Sequence, residues 1–180
     1  MKDIEVKKPM EDLVDHYWGA INYIFGLIKA SEIKAGLILS FYGIVLNLIY
    51  QGFGSTIGSL QEDELFLALL MLWFNATVIS IYFSFRCFMP RIESNYEKNV
   101  FFFGDIISSF GDIKSYSRTL YEISTDELKL FEQLGEQIFI NSKIASEKFK
   151  NVNHSLRYLS ISLILLLLIV MYYFVAFKTF

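Results

Sequence analysis

Three stretches of the chain carry no charged residue: 35–53, 65–85 and 158–177. As an α-helix the middle stretch would reach roughly 31 Å, about one hydrocarbon core. The other two are of similar length, so each of the three predicts a membrane-spanning helix. The middle stretch ends abruptly, in Arg86, Cys87, Phe88, Met89, Pro90 and Arg91. Pro90 cannot donate a backbone hydrogen bond, so the helix bends or stops there.

The segments around these spans are patterned differently. From about Glu11, the residues Val14, Tyr17, Trp18, Ile21, Ile24, Phe25 and Ile28 recur at helical spacing and form an apolar stripe. No breaker separates that stripe from Ala35, which predicts one helix running from the polar segment into the first span. After Arg91 a helix is expected over about 94–121. Phe103, Ile106, Ile107, Phe110, Ile113 and Leu120 would make its apolar face. Gly104 and Gly111 interrupt it, at about 1 kcal/mol each relative to alanine, and mark either a break or a close approach. Ser124-Thr-Asp-Glu127 reads as a capping box opening the next helix. Leu128, Phe131, Leu134, Ile138, Ala145, Phe149, Val152 and Leu156 then lead without a break into the third span. The expected fold is an all-α membrane protein, with three transmembrane helices continuous with a cytoplasmic bundle of long helices. It forms one membrane-embedded helical body over 1–180, with 1–34 and 86–157 cytoplasmic.

Composition agrees with this picture. The chain is 54% hydrophobic and 17% aromatic with a mean hydropathy of +0.42, which is too apolar for an ordinary soluble domain. Of its 16 lysines and arginines, only Lys178 falls outside 1–34 and 86–157, and the connection 54–64 holds none. The positive-inside rule therefore puts the N-terminus in the cytoplasm and the C-terminus outside, in a multi-pass membrane protein. A cleaved signal peptide is not expected, because the first apolar stretch follows about 34 largely polar or amphipathic residues. One cysteine, Cys87, excludes an internal disulfide framework and a cysteine-based zinc site. A net charge of −3 gives no argument for nucleic-acid binding.

Within the spans, Gly36, Ser40, Gly43 and Asn47 form a small, partly polar face on the first helix, and Ala76, Ser80 and Ser84 another on the second, beside Asn75. Small faces let membrane helices approach closely, and an amide contributes about 1 kcal/mol of hydrogen-bonding cohesion. These two spans are expected to pack as a hairpin; a path for ions or water lined by Asn47 and Asn75 is the sharper alternative. The glycine-containing stretch from Gly52 to Gly58 lacks the preceding strand and the closing Gly-Lys-Ser/Thr of a phosphate loop, and is expected to be a turn.

The search for enzymatic chemistry returns no constellation. His16 and His154 belong to no metal-binding motif, and Cys87 sits at a membrane boundary where it packs or accepts a lipid. No catalytic residue, metal ligand or cofactor is expected, and the chain is read as a non-enzyme. What remains is a set of charged residues at the bases of the spans: Glu32 and Lys34, Arg86 and Arg91, and Lys148, Lys150 and Arg157. Anchoring to anionic headgroups accounts for most of them. A basic cluster beneath a helical bundle also suits a phosphate-bearing ligand.

Four motifs sharpen that second option. They are Glu32-Ile-Lys34-Ala35 at the mouth of the first span, Met89-Pro90-Arg91 after the second, Phe103-Gly104-Asp105 beyond it, and Lys148-Phe149 before the third. Their order resembles the transmembrane effector family of bacterial pyrimidine-cyclase antiphage systems, called Pycsar, over roughly 12–177. Met89 stands where that family's pattern has the first Arg of Arg-Pro-Arg, and Glu32 where it more often has Asp. The resemblance implies an effector that senses a cyclic pyrimidine mononucleotide, cyclic CMP or cyclic UMP, made by a partner pyrimidine cyclase. It further implies disruption of the inner membrane and abortive infection, by a protein that is expected to assemble as a homo-oligomer. Mapped onto this chain, Lys34, Arg91 and Lys148 would neutralise the phosphate, and Asp105 and Tyr116 would contact base or ribose. The alternative function is an ion-channel or membrane-scaffold subunit gated by another signal.

Overall fold

The computed structural model describes residues 9–56, 63–89 and 98–178. Among them there are five helices and no strand: α1 Pro9–Thr56, α2 Glu64–Phe88, α3 Phe103–Ser108, α4 Ile113–Thr125 and α5 Glu127–Lys178. Helices α1, α2 and α5 are each long and apolar enough to cross a membrane. The fold is all-α, with three candidate spans.

Helix α1 runs unbroken for 48 residues and α5 for 52, as the absence of breakers implied. Helix α2 begins at an N-cap: Asp63 accepts from the backbone N–H groups of Leu65 at 3.0 Å and Phe66 at 3.3 Å. It ends at Phe88, and Met89 turns extended, at φ −70° and ψ 118°. That is the conformation forced on the residue preceding a proline. The turn expected over Gly52 to Gly58 is overturned for Gly52 to Thr56, which continue α1, and Ile57 and Gly58 lie outside the described residues.

The expected helix over 94–121 is not one helix. Its first residues lie outside the described residues, residues 98–102 are irregular, and the rest is divided between α3 and α4. Gly111 makes the division, with φ +74°, a backbone conformation that costs a residue with a Cβ about 1 kcal/mol or more. Asp112 then caps α4, accepting from Ser115 N–H at 2.7 Å. Gly104 marks the close approach: a Cβ there would stand 2.8 Å from the Phe102 ring. Because the helix is divided, its periodic face does not survive. Phe103, Ile107 and Ile113 are exposed, and Ile106, Phe110 and Leu120 are only half-buried. The cap of α5 also falls elsewhere. Asp126 accepts from Lys129 N–H at 3.3 Å, while Thr125 donates back into α4, to Tyr121 and Glu122 carbonyls.

The chain divides into two compact units, one of Met1–Ile28 and Arg91–Ser146, the other of Lys29–Pro90 and Glu147–Phe180. In the first, Ile21, Ile24, Val100, Leu134, Ile140 and Ala145 are buried. Tyr17 packs on Phe131 at 5.2 Å and Trp18 edge-on to Phe101 at 5.8 Å. In the second, Ala35, Ile38, Tyr42, Cys87 and Val152 form a core with Ile81 and Leu159 against it. The outward faces there stay apolar: Leu37, Ile44, Leu48, Met71, Leu72 and Leu167 are all exposed. An apolar solvent makes that arrangement favourable.

Helices α1 and α2 share one core, but their small faces are not the seam between them; of the α1 face only Gly36 lies against α2, where a Cβ would stand 3.8 Å from the Phe88 ring. Ser80 and Ser84 are buried, but against Ser155 of α5. The Ser84 and Ser155 hydroxyls meet at 2.7 Å, and Ser155 donates to the Ser80 carbonyl at 2.8 Å. Ser40, Gly43 and Asn47 on α1 are exposed, and α1 presents Ser31, Ala35, Ile38 and Tyr42 to the core instead. Asn47 and Asn75 bond within their own helices, Asn47 accepting from the Gln51 amide at 3.3 Å and Asn75 donating to the Met71 carbonyl at 2.8 Å.

Candidate functional site

Of the five expected site residues, Lys34 and Lys148 belong to the second unit, Asp105 and Tyr116 to the first, and Arg91 lies outside the described residues. Lys148 is the most constrained of them. Its side chain is 9% exposed, and its ammonium donates to Glu32 Oε1 and to the Cys87 carbonyl, both at 2.7 Å. A buried ammonium requires such partners, because its desolvation is otherwise uncompensated. The Cys87 carbonyl lies at the C-terminal end of α2, where the helix dipole favours a cation. The Cys87 thiol in turn donates to the Lys148 carbonyl at 3.7 Å and is fully buried, so it packs. One side chain of α5 thereby ties the middle of α1 to the C-terminal end of α2. Lys34 is exposed and holds its ammonium 5.5 Å from the centre of the Phe149 ring, a cation–π distance.

In the first unit, Asp105 and Tyr116 converge on residues 99–102. Asp105 accepts from Asn99 N–H at 2.9 Å, and Tyr116 donates to the Val100 carbonyl at 3.3 Å. The centre of this arrangement is Asn99, a residue that no motif singled out. It is fully buried and donates to the Gln133 carbonyl at 2.7 Å and to Glu136 at 3.3 Å, while accepting from Phe101 N–H at 2.9 Å. Gln133 accepts from Val100 N–H at 3.0 Å. Asp105 and Tyr116 thus brace an irregular segment against α5.

A further set was legible in principle. Asn141, Lys148, Ser155 and Ser162 stand seven residues apart on α5, and all are buried. A seven-residue repeat places them on one seam. In the second unit the seam is fully engaged: Lys148 with Glu32, Ser155 with Ser80 and Ser84, Ser162 with Tyr42 at 2.9 Å. In the first unit, Gln137 Oε1 and Asn141 Nδ2 are buried without a hydrogen-bond partner. A search for apolar periodicity passes over such a seam because its members are polar.

Beyond the second span's far end, Tyr172 donates to Asp63. That contact, followed by the N–H groups of Phe66 and Leu65, holds the Asp63 carboxyl below the ordinary aspartate value. His154 stacks on Phe83 with ring centres 5.0 Å apart. Among the described residues no group of three or more His, Cys, Asp or Glu is placed to hold a metal ion.

The family model for the Pycsar effector protein domain matches residues 16–175, nearly the whole chain, and takes in most of the first candidate span and all of the other two. The chain belongs to the Pycsar effector family. Comparison with curated proteins and with solved structures gave no match. Membership implies an antiphage effector role, a functional link to a pyrimidine cyclase and action at a membrane. A Pycsar effector domain is an effector and not a cyclase. The three apolar helices and this membership make the chain a membrane protein.

Proposed function

We propose that this Pycsar effector senses a cyclic pyrimidine mononucleotide, cyclic CMP or cyclic UMP, at the cytoplasmic side of the inner membrane and then disrupts that membrane, causing abortive infection. The observation that carries the reading is the family match across 16–175. Two features support it. The cations gather at the bases of the spans, with Lys34 beside Phe149 and Lys148 at the end of α2. Helices α1 and α5 are each continuous from an amphipathic half into an apolar half, so a rearrangement at the bases has no flexible joint to dissipate it. Lys34, Arg91 and Lys148 are the proposed phosphate contacts, and Asp105 and Tyr116 the proposed base or ribose contacts.

The orientation is N-terminus inside and C-terminus outside, from the distribution of lysine and arginine. A ligand shifts an equilibrium only through its differential affinity for the two states, and moving 1:99 to 99:1 takes about 5.5 kcal/mol. Phosphate binding among several helix bases, in one subunit or between neighbours, is the source of that difference. Re-pairing of subunits proceeds through the Ser40 and Gly43 face of α1, which is open, whereas Ser80 and Ser84 must first leave Ser155.

Dye-loaded liposomes carrying the purified protein test the reading. Cyclic CMP or cyclic UMP should release dye, and linear nucleotides should not. Binding without release would reject membrane disruption and leave a sensor or scaffold role.

A further inference from the structure

We propose that Glu32 is the resting occupant of an anion site on Lys148, and that the phosphate of the activating ligand takes its place. This rests on the sensing function proposed above and assigns its regulation. The two partners of the Lys148 ammonium, each at 2.7 Å, are of different kinds. The Cys87 carbonyl is backbone at the end of α2 and cannot leave without moving the helix. The Glu32 carboxylate ends a rotatable side chain that is 39% exposed, so it has a path to water, whereas the Lys148 side chain is 9% exposed and largely enclosed. Glu32 is therefore the exchangeable partner and Lys148 the fixed one.

Once Glu32 swings out, Lys148 remains aimed by Cys87 and carries a largely buried charge that another anion satisfies best. A phosphate oxygen supplies that charge, and the second cation, Lys34, stands against Phe149, the next residue of α5. The exchange also has a mechanical result. Glu32 is a side chain of α1, so the ion pair holds the middle of α1 to α2 and α5. A phosphate from solution satisfies Lys148 without being bonded to α1, and the tie is undone. Glu32 is thus an autoinhibitory stand-in for the ligand. A lipid headgroup offers the same phosphate chemistry as a nucleotide, so the test separates them.

The test uses the full chain in phosphatidylcholine vesicles, with calorimetric titration of cyclic CMP and cyclic UMP, dye release and a melting curve. Glu32→Gln removes the competing charge and should bind the nucleotide about tenfold more tightly or better, the scale of one charge-assisted hydrogen bond. It should also leak dye without nucleotide. Glu32→Asp, which keeps the charge on a shorter arm, should be intermediate and covers the case in which Glu32→Gln does not fold. Lys148→Met should lose binding in either background. Affinity equal to or weaker than the parent's in a folded Glu32→Gln or Glu32→Asp protein overturns the exchange while sensing stands. A parent that binds neither nucleotide removes the sensing function and this proposal with it. Dye release from the parent by phosphatidylglycerol alone, uninfluenced by nucleotide, assigns the site to lipid and also overturns it.

Discussion

Removing the Ser155 hydroxyl should loosen the contact between α2 and α5 by an amount the geometry sets. The hydroxyl donates to the Ser80 carbonyl at 2.8 Å and lies 2.7 Å from the Ser84 hydroxyl, and both serines are fully buried. Ser155→Ala deletes both contacts, and with them a 3.1 Å approach to the Ser80 hydroxyl that has no proton left to share, since each hydroxyl donates to the other residue's carbonyl. It leaves a third, from Ser80 Oγ to the Ser155 carbonyl at 2.8 Å, because that acceptor is backbone. Interhelical hydrogen bonds within membranes contribute about 0.6 kcal/mol on average and about 1.7 at most. Two lost bonds therefore cost about 1–3 kcal/mol, and the missing oxygen leaves too small a void to add much. Trp73, buried on α2, reports on this packing by fluorescence once Trp18 is replaced by Phe. In detergent, the melting midpoint should fall for Ser155→Ala and stay unchanged for Ser160→Ala, whose hydroxyl bonds only within its own helix, to the Leu156 carbonyl. A double-mutant cycle with Ser84→Ala should show coupling of about 0.5–1.7 kcal/mol, because the two hydroxyls share one bond. Additive effects, or a midpoint that matches the parent's, would refute the claim that this seam holds the two spans together.

Four further outcomes are expected. Gly111→Ala should destabilise by about 1 kcal/mol or more through its positive φ alone, since nothing lies within 4 Å of the added Cβ; hydrogen exchange across α3 and α4 would show it as faster opening. Gln137→Met should raise the melting midpoint, because it replaces a buried orphan carbonyl that costs about 1–3 kcal/mol; a lower midpoint would mean that the amide has a partner, such as a bound water. Asp63 titrates below the ordinary aspartate value, so its contribution to stability is complete above about pH 4 and is lost as pH falls through its lowered value. Asp63→Asn should therefore flatten the acid limb of a melting-against-pH curve, and an unchanged limb would count against the Tyr172 contact. Gly43→Leu faces open space in the single chain and should leave melting unchanged while abolishing dye release if subunits meet there; full release would exclude that face as a subunit contact.

What depends on local physics was legible along the chain. Uncharged stretches of spanning length are helical because no other backbone conformation satisfies its own hydrogen bonds in lipid. Helices α1 and α5 continue into their spans because nothing between Glu11 and Ala35, or between Leu128 and Tyr158, stops them. Helix α2 stops before Pro90 for a reason written in that residue. Which surfaces meet depends on how the helices pack. Periodicity shows that a face exists and is silent about its partner, and within an apolar span it hardly shows even that. Hence Ser80 and Ser84 pack on Ser155 and not on Gly43, and Asn47 and Asn75 bond within their own helices. The division at Gly111 was one of two outcomes the sequence allowed, and its positive φ selected it. Lys148 shows the same limit most sharply. As a residue type beneath a membrane it read as a free cation for a phosphate, and the fold delivers it already paired with Glu32, 116 positions away. Long-range pairing of two charges is a property of the packed bases of three helices, and no spacing along the chain encodes it.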